Sequence, residues 1–384
     1  MDDDRLKFGR IALGLAAALY ACLSSPSPDA PGVVEALIIF LLLFASFMGG
    51  FRIKDGWARP LLILLLYGFS VPVLIGVFAS AAPSDMMRDM VAFTALGLPV
   101  LLAGLFAQDS KFLLYILLGT GLIFSVRYLM MPDLVMVSLA AGPFDDRLLY
   151  LANSPLVFFT ASWLLLQGSF GELKISRAIL YCALALVPLA AMIGMMQRAT
   201  LGLLALAWIG GLAFTFVNRP QRGVMMAIVS VAVLMIAWPF VNSLVASLLL
   251  KTEMVGWNAR SLEWQKIFTE INQDITSVLF GRGWGALMQS PAVGDEWVRF
   301  SHSLLSSMLW KGGWAGLLLT IVAVGTLAIT ALRRMREQAV TVTALILALI
   351  PACFLYGSYK SLCFGLLLTG LVCLVVTTRA ENEA

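Results

Sequence analysis

Apolar runs of membrane-span length follow one another along almost the whole of this 384-residue chain, and they constrain it more than any single residue does. A helix needs about 20 apolar residues to cross the hydrocarbon core of a bilayer. Twelve stretches bounded by charges or by Pro and Gly meet that need, at roughly 8–23, 33–50, 60–82, 89–107, 111–131, 149–167, 177–197, 200–217, 223–249, 302–332, 340–357 and 361–378. Charged residues make up 12% of the chain and apolar residues 60%, with a mean hydropathy of +0.92. A soluble domain carries about 25% charge, so this chain lacks the polar shell that a core of its size would need in water. The expectation is an all-α, polytopic integral membrane protein of about 12 transmembrane helices. A soluble enzyme, a disordered chain and a disulfide scaffold are excluded. Cys22, Cys182, Cys353, Cys363 and Cys373 all lie inside apolar runs and form no CxxC pair, so neither a disulfide nor a zinc site is expected. The net charge of +4 is small and dispersed, which argues against a nucleic-acid partner.

The opening segment, MDDDRLKFGR followed by IALGLAAALYACL, resembles a signal peptide. Its three aspartates and Tyr20 argue instead for a retained first span. Lys and Arg then set the orientation. Arg5, Lys7, Arg10, Arg52, Lys54, Arg59, Lys111, Lys174, Arg177, Arg219, Arg222, Arg333, Arg334, Arg336 and Arg379 fall on one side, and only Arg88, Arg147, Arg198 and Lys360 fall in the short loops of the other. Both termini are therefore expected to be cytoplasmic. One long loop, 251–301, falls on the outer side and holds 11 of the 48 charges. The chain thus divides into spans one to nine (1–250), a large periplasmic loop (251–301) and spans ten to twelve (302–384). The loop reads as folded. Asn258 is placed to cap a helix over ARSLEWQKIFTEINQ, with Leu262, Ile267, Phe268 and Ile271 near one face. Trp257, Trp264, Trp284 and Trp297 suit a segment resting on the membrane interface.

A charge at mid-span costs about 2.5–3.5 kcal/mol on insertion scales, so each polar group near the membrane asks for a reason. His302 is the only histidine and stands where the long loop re-enters the membrane. Its side chain is the one best suited to take a proton near neutral pH, although a histidine that merely caps a span would look the same. Arg198 sits in MMQRATLG, a short outer break that the positive-inside rule does not explain. Arg260 opens the loop helix. Arginine suits a diphosphate because its planar fork donates two parallel hydrogen bonds to phosphate oxygens. Gly281 and Gly283, in FGRGWG, offer backbone N–H groups to an anion, and Arg282 and Arg299 add positive field. Lys311 lies nine residues after His302, about 180° around a helix, and either pairs with a charge such as Glu35 or lines a cavity. Arg127 reads as snorkelling to the outer interface. Pro72, Pro99, Pro155, Pro188 and Pro239 interrupt apolar runs and suggest kinks. No metal-ligand cluster, GxSxG or Walker loop occurs, so neither a metal nor a cofactor is expected.

These residues together carry a resemblance. HSLLSSMLWKGGWAGLLL (302–319), with His302-Ser303 and Gly313-x-x-Gly316, is similar to a signature of the O-antigen ligase and polymerase superfamily. LFGRGW resembles that family's Gly-x-Gly segment, MMQRATLGLLAL its arginine step that opens an apolar run, and NARSLEWQKIF its loop helix. The likeness covers about 195–320. Asn153-Ser154-Pro155 stands where the family often has Asn-Pro-Asn, a departure that bears on substrate contacts by Asn153 and by Arg147 in the preceding loop. The resemblance implies a bacterial inner-membrane glycosyltransferase. Its donor would be a polyprenyl-diphosphate-linked glycan, and its acceptor lipid A core for a ligase or a carrier-linked glycan for a polymerase. His302, Arg198 and Arg260 would be its catalytic residues. A twelve-span transporter or flippase is the competing class, against which the chain shows no two similar halves.

Overall fold

The computed structural model describes residues 2–24, 32–106, 109–130, 150–255 and 260–383. The expectations resting on Arg147, Trp257 and Asn258 lie outside these residues. The fold is mostly helical. Helices α1 (Asp2–Cys22) and α2 (Val33–Gly49) pack side by side. The next two apolar runs are each broken: α3 (Ala58–Gly68) and α4 (Val71–Phe78) form one, and α5 (Pro83–Thr94) and α6 (Leu98–Leu102), with short 3₁₀ turns, form the other. Then come α7 (Lys111–Leu129), α8 (Pro155–Phe170), α9 (Ile175–Gly194), α10 (Arg198–Asn218) and the 36-residue α11 (Pro220–Val255). The long loop folds into α12 (Arg260–Ile271), α13 (Ile275–Phe280) and a small antiparallel hairpin of β1 (Met288–Ser290) and β2 (Glu296–Val298). Helices α14 (Leu304–Leu332), α15 (Ala339–Phe354) and α16 (Leu362–Glu383) complete the chain. Among the described residues, six segments are long and apolar enough to cross a membrane: Ala58–Phe78, Pro83–Phe106, Lys111–Leu129, Ile175–Gly194, Arg198–Asn218 and Leu304–Leu332.

Helix α8 forms the centre. It is apolar on all sides, buried along most of its length, and packed against α7, α9, α10, α15 and α16, as expected of a helix with no face turned to solvent. Helix α11 is its opposite, with Val224, Met225, Ile228, Val231, Met235 and Ile236 all exposed. An apolar surface of that extent suits hydrocarbon rather than water. The polar connections gather at two ends. At one, Arg219 pairs with Glu172 and Arg222 donates to the Gly171 carbonyl. At the other, the 83–89 segment, the start of α10, the long loop and the α15–α16 connection come together.

Each broken helix frees backbone groups that hydrocarbon would leave unsatisfied, so each break must be filled by protein. The Gly-rich segment 281–285 fills two of them. The N–H groups of Arg282 and Gly283 donate to the Trp310 and Lys311 carbonyls at 2.8 and 3.0 Å. Those carbonyls are freed because α14 is interrupted at Gly313 (φ +61). Trp284 N–H donates to Pro72 O at 2.9 Å, and its indole N–H to Gly68 O at 2.6 Å, which satisfies the α3–α4 break. Only glycine fits here. A Cβ on Gly313 would lie 2.5 Å from the Leu279 carbonyl group, and one on Gly283 would lie 2.5 Å from Gly76 N. Asp89 of α5 locks the junction. Its Oδ2 accepts from Lys311 Nζ at 2.6 Å and from Gly285 N–H at 2.8 Å, while Lys311 also donates to Ala286 O at 2.7 Å.

Several expectations change as a result. Lys311 pairs with Asp89, whereas Glu35 accepts from Ser24 Oγ and the Gly32 N–H. Trp284 is buried in the junction, not at an interface, while Trp297 is exposed. Arg127 donates to the Ala21 and Ser24 carbonyls and so caps the end of α1. Pro72, Pro99 and Pro155 open helices, where the missing N–H costs nothing, and among the five prolines only Pro188 and Pro239 lie inside one. The buried face of α12 is Glu263, Ile267 and Ile271, four residues apart, and Leu262 and Phe268 stay exposed.

Breaking a buried pair by removing one partner leaves an uncompensated charge, at a cost of about 3–5 kcal/mol. Asp89→Ala is therefore expected to lower the Tm of the detergent-solubilised protein by well over 5 °C. Asp89→Ala with Lys311→Met, which removes both charges, should recover most of that loss. A double variant no more stable than the single one would deny the ion pair its role.

Candidate active site

The site is assembled around α12. Its buried face carries one acidic residue, Glu263, and that carboxylate reaches His302 at the foot of α14. His302 N–H donates to Glu263 Oε2 at 3.1 Å, and His302 Nδ1 lies 3.1 Å from Oε1. Ser290 Oγ, on the hairpin, donates to Oε1 at 3.0 Å. The residues around the imidazole are fixed by a serine cluster. Ser303 caps α14 by accepting from Ser306 N–H at 3.0 Å, and Ser301 Oγ lies 2.7 Å from Ser306 Oγ. A carboxylate next to Nδ1 selects the tautomer with hydrogen on that nitrogen. Nε2 is then left with its lone pair, ready to accept a proton. Glu263 is 1% exposed. Burial works against its ionisation, but the hydrogen bonds from His302 and Ser290 hold its carboxyl below the ordinary value of 4.5.

Arg260 stands one turn before Glu263 on the same helix. Its guanidinium carbon lies 5.3 Å from the centre of the Tyr356 ring, in the α15–α16 connection. Burial lowers the Arg260 pKa from its ordinary value, Tyr356 and Glu263 oppose that change, and Arg198 reinforces it. Arg198 is thus close enough to act on Arg260, and both arginines act on Tyr356. Arg198 is held there by a tight turn in which Met196 takes φ +50. Gln197 anchors that turn by donating to Ala152 O at 2.8 Å and to Asn153 Oδ1 at 3.0 Å. Asn153 therefore supports Arg198 through its neighbour.

His302 and Arg260 are thus linked through Glu263 of α12, and Arg198 lies near enough to Arg260 to act on it electrostatically. The flanking residues are not part of this group. Arg282 donates to Glu270 O at 2.6 Å and contacts Gln273 and Asp274, near the end of α12 and about 15 Å from Arg260 along the helix. Arg299 pairs with Asp85 at 3.2 Å. Gly281 and Gly283 donate their N–H groups to Ser277 O and Lys311 O, so they are not an anion cradle. Their positive φ serves close packing instead, a need that leaves the same glycine signature. Glu263 and Tyr356 are the residues that sequence reasoning misses. Glu263 is detectable only as an acid in register with Ile267 and Ile271, and Tyr356 has no local signal at all. Among the described residues, no group of three or more His, Cys, Asp or Glu gathers as a metal site.

Because Glu263 has a folded pKa below its unfolded one, its contribution to stability is fully present above pH 4.5 and is lost as pH falls through the lowered value. Glu263→Gln should reduce stability near neutrality by about 1–3 kcal/mol and flatten the acid limb of Tm against pH. An unchanged acid limb would separate Glu263 from that transition. No family model matches the chain, and no curated protein matches it.

Proposed function

We propose that this chain is a metal-independent, inverting glycosyltransferase of the O-antigen ligase type. It moves a glycan from a polyprenyl-diphosphate carrier to an acceptor hydroxyl at the periplasmic face of a bacterial inner membrane, with lipid A core as the acceptor. In this reading the chain crosses the membrane twelve times and the loop carrying α12 is periplasmic. One observation above all supports it: Glu263 holds His302 and shares a helix with Arg260, and Arg198, about sixty positions earlier, acts electrostatically on Arg260. The amino acids 195–320 that resemble the ligase and polymerase superfamily contain all four groups.

The chemistry follows from the roles these groups can hold. The acceptor oxygen attacks the anomeric carbon from the face opposite the carrier. As that C–O bond forms, the bond to the carrier's diphosphate oxygen breaks, and the configuration inverts. The hydroxyl proton passes to His302 Nε2, and Glu263 stabilises the resulting imidazolium. Carrier diphosphate leaves as an anion, its developing charge met by Arg198 and Arg260. Diphosphate held in this way needs no acid to protonate it.

The test is transfer by the purified chain in vesicles, with carrier-linked glycan and lipid A core. His302→Ala, Arg198→Ala and Arg260→Ala are each expected to lower the rate about 100-fold or more, with Glu263→Gln between these and wild type. Wild-type rates in the His302 and Arg198 variants would overturn the mechanism. Extension of a carrier-linked repeat with no transfer to lipid A core would make the chain a polymerase, and glycan flipping without transfer would make it a transporter.

A further inference from the structure

Lys360 lies on the same α15–α16 connection as Tyr356, four residues further on. Its Nζ is 3.3 Å from the centre of the Phe300 ring and 5.6 Å from that of Tyr359. Phe300 meets the His302 ring edge-on, with centroids 6.0 Å apart. One aromatic ring therefore separates this ammonium from the imidazole. Lys360 is half-buried, and among the described residues no carboxylate pairs with it. The nearby carboxylates are taken: Asp89 by Lys311 and Gly285, Asp85 by Arg299, and Glu263 by His302 and Ser290. Ring faces attract a cation but do not satisfy three N–H donors. Burial lowers the Lys360 pKa well below its ordinary value, and Arg299 and Lys311 add to that, against the pull of Asp89 and Glu263. An oxyanion is the group that would both accept its hydrogen bonds and restore its charge.

The positive groups that act near Glu263 fall into two sets. Arg198 and Arg260 gather at Tyr356, while Lys360 shares its surroundings with Arg299, Lys311 and Asp89. Glu263, bonded to His302, acts on both groups. With the donor's diphosphate assigned to the two arginines, Lys360, one aromatic ring away from His302, is left as a second anion-binding position.

We propose that Lys360 is the acceptor-side anion contact, binding a phosphate or carboxylate that the acceptor glycan carries next to the hydroxyl deprotonated by His302. This rests on the glycosyltransferase reading, so the deciding measurement is binding without donor. The full chain in lipid nanodiscs would be titrated with a phosphorylated core oligosaccharide, with the same oligosaccharide after phosphatase treatment, and with one bearing a uronic acid. Wild type should bind at least one anionic form about tenfold more tightly than the phosphatase-treated form, a preference worth about 1.4 kcal/mol. Which form is preferred identifies the anion as phosphate or carboxylate. Lys360→Met should abolish the preference while binding the neutral form as wild type does, and Lys360→Arg should keep it. Equal binding of all three forms by wild type, a preference that survives Lys360→Met, or loss of the neutral form as well would overturn the proposal. Anion-selective binding by a chain that transfers nothing would instead count against the glycosyltransferase reading alone.

Discussion

The structure depends on a rule that the bilayer imposes: no backbone polar group can be left unpaired in hydrocarbon. Among the described residues three helical runs are broken, and two of the breaks meet the same five-residue segment. Residues 281–285 donate to carbonyls freed in α14 and in the α3–α4 step, and Asp89 closes the junction from α5 with Lys311 as its counter-ion. A buried ion pair is weak evidence for stability in its own right. Here it joins α5 to α14 and to the 281–285 segment, three pieces of chain far apart in sequence.

The site is built on this platform. Segment 281–285 ties α13 and the hairpin to α14, and the hairpin delivers Ser290 to Glu263 and then His302 to the foot of α14. The carboxylate, the imidazole and the two guanidinium groups come from a folded loop, a span entrance and a turn between spans, each anchored separately: Gln197 for the turn, Ser303 and Ser306 for the entrance, Ile267 and Ile271 for the loop helix. Rigid support of this kind, if the proposed transfer is right, would hold the charged groups to within the roughly 1 Å that catalysis tolerates.

How much of this could be read from the sequence depends on how local each cause is. The helices were legible, because span length and apolar composition are local properties. Their breaks were partly hidden, since Pro72 and Pro99 signal a helix start as readily as a kink. His302, Arg198 and Arg260 stood out because polar groups beside hydrocarbon are expensive. Glu263 did not, because an acid on a loop helix looks like solvent-facing charge until its partner is known. Asp89 and Lys311 lie 222 positions apart, and nothing near either one names the other. The glycines of 281–285 misled for a physical reason: the same positive φ that opens a backbone to an anion also lets two backbones touch.

Helix α11 has a geometric consequence of its own. At 36 residues it is about 54 Å long, well beyond the roughly 30 Å depth of a bilayer's hydrocarbon core. Set across a bilayer, a helix of that length leans steeply or extends beyond the hydrocarbon. Exposed apolar side chains run along much of it, from Val224 to Leu249, so most of that length offers an oily face to its surroundings.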